Sequence, residues 1–507
     1  MDPIDEVVKM LPIIARLATV ALLVLATPTR ALSPTHVDAH TGKPRLIVLS
    51  DMGNEPDDQM SLVRLLLYSN ELEIEGLVAT TSTWLRTSTN PQTMHAIIAA
   101  YGTVRPNLIQ NAPGWPTRAA LDAAVSVGQP AYGMAAVGAD KSSAGAAAII
   151  RAVDRPDPRP VWISVWGGAN TLAQALSEVR AARAPAALAA FIAKLRVYSI
   201  SDQDDAGPWI RREFPDLFYI VAPSRPDSEN YGSATWTGIS GDVFYRNGAG
   251  ADGSTVTNDW LDRHIRQGPL GAHYPKFAFI MEGDTPAFLG FTDNGLASVR
   301  NPSWGGWGGR YVWRQPYGEA HPIWTQGGDA FPRITSADTV TGIDGRQHTS
   351  DQATIWRWRS AFQNDFAARM SWTQLPRAGA NHPPIAVVNR QDGTAPILID
   401  AHVGRPLTLD AAGSLDHDAG QRLRYRWYHY AEAGFVPGQG MAGVSIAGAD
   451  TSRATVTPTE VCRPQWLPVQ TPCPTGLAHI ILEVTDDGSP ALTSYRRIIL
   501  TVRPAGG

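Results

Sequence analysis

This chain has almost no cysteine: two residues in 507, Cys462 and Cys473. They lack Cys-x-x-Cys spacing, which argues against a zinc site or a dithiol redox centre. Charge is also scarce, with 18% charged residues and a formal net charge of −4. No basic run marks a surface for nucleic-acid polymers or anionic lipid. The 12 histidines show no metal-ligand spacing, and His95 and His264 read as ordinary surface or helix residues. Beyond the N-terminus there is no long apolar run, so no later segment is a candidate membrane span.

The N-terminus is different. An apolar core, Leu17–Ala26, follows Arg16, and Thr29-Arg30-Ala31 places small residues where a signal peptidase needs them. Residues 1–31 therefore read as an export signal. The acidic residues Asp2–Glu6 are unusual in such a segment and point to Met10 as an alternative start. The apolar run is short for a bilayer span, and an uncleaved N-terminal anchor is the competing reading. Either way the rest of the chain is placed outside the cytoplasm, secreted or periplasmic. Cys462 and Cys473 then read as a disulfide pinning a loop that also holds Pro464, Pro468, Pro472 and Pro474.

Length alone predicts two or three domains. From Arg45 to about Phe291, strand-like runs alternate with alanine-rich helical ones. The strands are Glu75–Thr80, Val161–Val165, Leu195–Ile200, Leu217–Val221 and Phe277–Met281. The helices are Met94–Tyr101, Ala144–Val153, Asn170–Arg180 and Pro185–Lys194. This predicts an α/β domain over 43–300, with a parallel sheet covered on both faces. Residues 301–382 form an extension rich in tryptophan and glycine, with a helix over Asp351–Met370. Near Asn381-His-Pro-Pro384 the pattern changes to short alternating strands. These are Pro406–Leu409, Leu423–Tyr430, Ala454–Val456, His479–Val484 and Tyr495–Val502, which predict an immunoglobulin-like β-sandwich over 383–507. Trp427 is assigned to its core, and Asp416 and Asp418 to turns rather than to calcium.

The most informative stretch follows the first strand. Asp51, Glu55, Asp57 and Asp58 place four carboxylates within eight residues. Helical spacing resumes at Leu62, Leu65 and Leu66. A helix N-terminus favours one or two acids; four crowded ones repel unless a cation or shared protons compensate. Hard oxygen donors of this kind favour calcium or magnesium.

Three pieces resemble the nucleoside hydrolase superfamily: the acidic loop, the segment Val165-Trp-Gly167-Gly168-Ala169-Asn170-Thr-Leu-Ala, and Phe279-Ile-Met-Glu282-Gly283-Asp284-Thr-Pro-Ala. More closely, the layout resembles secreted bacterial proteins that join such a domain to a C-terminal sandwich and are linked to cellulose binding. The resemblance implies a bound Ca2+ ion. Asp58 resembles its two-oxygen ligand, Asp284 the second carboxylate ligand, and Ala169 the residue giving a carbonyl. Asp51 resembles the aspartate that touches calcium and takes a proton from the attacking water. Asp57 resembles the carboxylate that bonds a ribose hydroxyl, and Asn170 is placed with it against substrate. The segment Asp202-Gln-Asp204-Asp205 stands where a ribose-binding segment is absent, and its acids Asp202, Asp204 and Asp205 are expected to face the cleft.

The departures are equally specific. Asp51 and Asp57 are further apart than in nucleoside hydrolases, so Asn54 or Glu55 is an alternative ligand to Asp51. The histidine that protonates the leaving base is replaced by Gly283; Glu282 is the remaining candidate acid, provided burial raises its pKa. Thr81-Ser-Thr-Trp84 occupies the position of an expected asparagine. Trp304 and Trp307, set among glycines, read either as sugar-stacking rings or as packing; Trp356 and Trp358 read as packing. Two functions follow. One is a calcium-dependent hydrolase of N-glycosidic or related glycosyl bonds in a sugar-containing small molecule. The other is a non-catalytic protein binding a plant polysaccharide such as cellulose.

Overall fold

The computed structural model describes residues 37–53, 55–223, 239–244, 249–278, 280–316, 318–326, 336–435, 441–463 and 473–506. The export segment expected over 1–31, together with Asn54, lies outside the described residues. Among the described residues no helix is long and apolar enough to cross a membrane.

The α/β body is built on an eight-stranded sheet. Its strands are β1 (Arg45–Ser50), β2 (Glu73–Ala79), β3 (Val125–Val127), β4 (Val161–Val165), β5 (Leu195–Ser199), β6 (Phe218–Ile220), β7 (Val312–Arg314) and β8 (Ile323–Thr325). Their spatial order is β3-β2-β1-β4-β5-β6-β8-β7, and every pairing is parallel except β7 with β8. Successive side chains of a strand point to opposite faces. Accordingly Leu46 and Val48 of β1 enter one apolar cluster while Ile47 and Leu49 enter another. Helices α1 (Asp57–Leu67) and α2 (Pro91–Asn111) cover the first face through Leu62, Leu65 and Ile97. After α3 (Arg118–Ala124), helices α4 (Ala144–Asp154) and α5 (Asn170–Ala182) cover the second through Ile149, Leu172 and Leu176. Helices α6 (Pro185–Ala193) and α7 (Ala206–Glu213) complete that layer. Pro185 stands at the first turn of α6, where its missing N–H costs no hydrogen bond.

In this order the chain reverses direction across the sheet between β1 and β4. That is the topological switch point, and the crevice beyond the strand carboxyl ends there is the usual ligand position of an open α/β sheet. Asp51 leaves β1 and Gly167-Gly168-Ala169 leaves β4 at this point.

Two expected elements differ. The strand expected over Phe277–Met281 is absent among its described residues. The Met281 N–H and C=O both bond the Ser240 hydroxyl instead of a neighbouring strand, and the sheet continues from β6 to β8. The single helix expected over Asp351–Met370 is two, Ala353–Trp356 and α8 (Arg359–Trp372). Because β7 and β8 extend the main sheet, the 301–382 extension is part of the α/β body.

After the hairpin β9 (Asp338–Thr341) and β10 (Gln347–Ser350), the C-terminal part forms two facing sheets. One is β11-β17-β16-β13 and the other β12-β15-β14. They are built from β11 (Ile397–His402), β12 (Leu407–Asp410), β13 (Arg424–His429), β14 (Met441–Ala447), β15 (Arg453–Arg463), β16 (Gly476–Thr485) and β17 (Thr493–Arg503). Trp427 is buried among Leu409, Val456, Leu482 and Leu500, in the core as its sequence position predicts. Cys462, in β15, and Cys473, shortly before β16, are disulfide-bonded.

The sandwich is welded to the α/β body. Tyr430, Ile481 and Tyr495 belong to the same apolar cluster as Trp307 and Phe362. Asp338, fully buried, binds Arg310 at 2.7 Å, Arg357 at 2.8 Å and the Tyr430 hydroxyl at 2.6 Å. These cations hold its carboxyl below the usual range despite burial. Arg497 of β17 donates to the carbonyls of Leu296 and Gly305.

Candidate metal centre and cleft

Asp51, Asp57, Asp58 and Asp284 are brought together at the switch point, all buried. Asp57 and Asp58 open α1, where the helix dipole favours them. Ser50, the last residue of β1, donates its hydroxyl to Asp58 Oδ1 at 2.5 Å. Asp51 accepts from the Ser82 hydroxyl on the loop after β2. It also rests against Gly167, where a Cβ would stand 2.6 Å from Asp51 Oδ1; a glycine there is what lets the carboxylate sit against the end of β4. Asp284 arrives from the turn Glu282-Gly283-Asp284, which begins with Glu282 at a φ of 55°, a left-handed conformation non-glycine residues seldom adopt.

One oxygen from each of Asp57, Asp58 and Asp284 lies within 4.8 Å of the others. Asp57 Oδ1 and Asp284 Oδ2 are buried without a hydrogen-bond partner. A buried carboxylate oxygen left unpaired is costly, so two of them on acids of one three-residue group fit a hard divalent cation. The electrostatics agree. Without a cation, burial pushes Asp51 up to about 6, and burial plus the Asp51 charge pushes Asp57 up to about 7. Asp58 and Asp284 are raised well above the usual carboxylate range, by burial first and then by the neighbouring acids. Glu55, at the edge of the cluster, is raised to about 7, by burial and then by Asp57 and Asp51. Asp51 stands within hydrogen-bonding reach of Asp58 but outside the three-oxygen group.

The remaining predicted residues sort differently. Ala169 caps α5, and its carbonyl already accepts the Ala173 N–H at 3.0 Å, which leaves one lone pair. Asn170 is buried; its amide donates to Thr81 Oγ1 and to the Ala131 carbonyl, so it ties loops together instead of offering donors to substrate. Glu282 does not serve as an acid in the cleft. It is fully buried on the far side of its turn, gripped by Arg64 at 2.6 and 3.0 Å, and it accepts from the Tyr274 and Thr285 hydroxyls. Asp202 is likewise spent, in a two-pronged pair with Arg211 at 2.8 Å. Asp205 caps the start of α7 by position and accepts the Met134 N–H at 2.8 Å. Trp304 and Trp307 are 7% and 2% exposed, packed on His479 and Tyr495 of the sandwich. They are packing residues, since the glycines around them let the loop press into the domain junction.

Two contributors were not singled out from sequence: Ser50 and Ser82, which orient the acids. Asp204, expected with its neighbours to face the cleft, is buried, raised to about 7 mainly by burial, and accepts the Asn170 and Ala206 N–H groups behind Gly168. For Ser82 the available signal was its place in the loop that substitutes for an expected asparagine; nothing comparable marked Ser50.

A doubly wound α/β body with an acidic cluster at its switch point and a fused C-terminal sandwich defines a nucleoside-hydrolase-like protein with an appended β domain. Residues 45–311 match the family model described as "Cellulose-binding Sde182, nucleoside hydrolase-like domain", and residues 406–502 match "Cellulose-binding protein Sde0182, C-terminal domain". The chain belongs to this Sde182 family. It is 36% identical to a nucleoside hydrolase-related protein from Saccharophagus degradans, described as associated with carbohydrate metabolism. That match covers 91% of this chain and 100% of the other, with a TM-score of 0.72. Two further solved structures align weakly. A PKD domain from KIAA 1837 protein is 24% identical over 22% of this chain and 85% of its own, with a TM-score of 0.15. The effector protein XOO4466 is 12% identical over 67% of this chain and 95% of its own, with a TM-score of 0.31. Neither bears on the fold. Comparison with curated proteins gives no match.

Proposed function

We propose that this chain is an exported polysaccharide-binding protein whose nucleoside-hydrolase-like cleft holds a calcium ion and engages a cellulose-type glycan there. The observation that carries this reading is the Asp57–Asp58–Asp284 cluster, with its two unpaired buried oxygens, in a family described as cellulose-binding. The disulfide Cys462–Cys473 fits an oxidising, extracellular setting. Asp58 and Asp284 would hold the ion, with Asp57 beside them; calcium accepts six to eight oxygens and so leaves places for a sugar diol. Asp51 is held by Ser82 against the same cluster.

Binding without turnover is favoured because Glu282, the residue the sequence offers for protonating a leaving group, is locked in its pair with Arg64. A second reading, glycosyl hydrolysis, is supported by Asp51, a carboxylate that Ser82 holds beside the cluster, where it could take a proton from a bound water. Full-length protein is to be tested for retention on insoluble cellulose and for turnover of nucleosides and aryl glycosides, each with calcium and with chelator. Saturable retention without turnover supports binding. Chelator-sensitive turnover lost in Asp58→Ala supports the hydrolase. Neither retention nor turnover would sink both.

A further inference from the structure

We infer that Trp84 is a sugar-stacking subsite at the mouth of the acidic cleft, taking the C–H face of one hexose ring of a β-linked glycan. This rests on the polysaccharide-binding reading and gives it a residue. Among the described residues, Trp84 is the one tryptophan the fold leaves exposed, at 39%. Trp304, Trp307 and Trp427, which also invite a sugar-binding reading, are all buried.

A single exposed apolar side chain is ordinary by itself; its setting here is not. The Ser82 hydroxyl that donates to Asp51 also accepts the Trp84 N–H at 2.9 Å and the Leu85 N–H at 3.1 Å. Trp84 is therefore two residues, at most about 7 Å of backbone, from the group that orients an acid of the cluster. The loop is fixed in place as well. The Thr83 N–H bonds the Gln203 carbonyl at 2.7 Å, the Ser82 N–H bonds the Leu85 carbonyl at 3.1 Å, and Arg86 bonds the Thr83 carbonyl and hydroxyl at 3.1 Å. The Arg86 guanidinium lies 4.5 Å from the Tyr132 ring centre, so the rim beside Trp84 carries a second aromatic and a cation.

A ring carried on a loop whose backbone is fixed by so many hydrogen bonds leaves little backbone freedom to lose on binding, which is how pre-organised aromatic residues contribute to affinity. In β-1,4-linked glucans the hydroxyls are equatorial, so each ring presents flat C–H faces complementary to an indole. A nucleobase also needs hydrogen bonds along its edge, which a stacking face does not supply.

The experiment is calorimetric titration of the full chain, in calcium, with cellohexaose, cellobiose and a nucleoside. It compares wild type with Trp84→Ala, Trp84→Phe and Leu398→Ala, the last being an apolar surface control on the sandwich, 73% exposed. The expected result is that Trp84→Ala weakens cellohexaose binding by about tenfold or more, that Trp84→Phe restores most of it, and that Leu398→Ala changes nothing. Equal binding by wild type and Trp84→Ala overturns the subsite and leaves the polysaccharide reading standing. No binding of any glycan by wild type overturns that reading, and the subsite with it.

Discussion

Replacing Asp58 with asparagine separates a cation site from a cluster of acids that merely share protons. Asp57, Asp58 and Asp284 place oxygens within 4.8 Å of one another. If all three ionise, each pair repels by at least about 3 kcal/mol at an effective dielectric of 20. Asp58→Asn removes two of the three pairs while keeping the acceptor that Ser50 bonds. At pH 8 in chelator, the variant should therefore melt at or above the wild-type temperature. With calcium the order reverses. A ligand at 100 times its dissociation constant adds about 2.7 kcal/mol to the folded state, and at roughly 2–4 °C per kcal/mol that is about 5–10 °C. Wild type should show this rise in millimolar calcium, and Asp58→Asn should show almost none. Thermal melts of both proteins in calcium and in chelator test it. A wild-type melting point indifferent to calcium, or a full rise in the variant, would refute the assignment of these acids to a cation.

Three further outcomes are expected. Asp51 and Asp57 have folded-state pKa values raised to about 6 and about 7. Their protons favour the folded state below the unfolded carboxylate value, and that stability is lost as pH rises through the folded values. The melting point in chelator should thus fall from about pH 4 to about pH 7, which thermal melts read, and calcium affinity should rise over the upper part of that range because binding releases those protons, which titration calorimetry in two buffers reads. Glu282→Gln should cost about 3–5 kcal/mol, because Arg64 is left as a buried charge without its counter-ion; denaturant unfolding measures this, and a stable variant with altered turnover alone would contradict it. Ending the chain at residue 382 should give an aggregating product rather than a free α/β domain, since Tyr430, Ile481 and Tyr495 complete its core and Tyr430 satisfies buried Asp338; size-exclusion chromatography distinguishes the two.

The parallel sheet was legible because β1, β4 and β5 are short, mainly apolar runs, buried on both faces as the α/β pattern requires. The acidic cluster was legible because its first half is local, Asp51 to Asp58, and its second half, Asp284, lies in a short segment of matching type. What could not be read was direction. Glu282 and Asp284 are two residues apart, yet the left-handed backbone at Glu282 accompanies opposite fates, one carboxylate bound to Arg64 and the other in the cluster. Trp304 and Trp307 were ambiguous for the same reason, since a glycine-rich loop is equally able to present rings to solvent or press them into a domain junction, and only tertiary contacts decide. The strand expected at Phe277–Met281 failed because an apolar run states burial, not partner; Ser240 takes its backbone bonds.

The most direct test of the account is a binding isotherm of the full-length protein on insoluble cellulose, in calcium and in chelator, for wild type and Asp58→Asn. Wild type should bind saturably in calcium, and that binding should weaken sharply in chelator and in the variant. No saturable binding, or binding indifferent to both calcium and Asp58, would contradict the claim that the cation cleft is where the glycan is held.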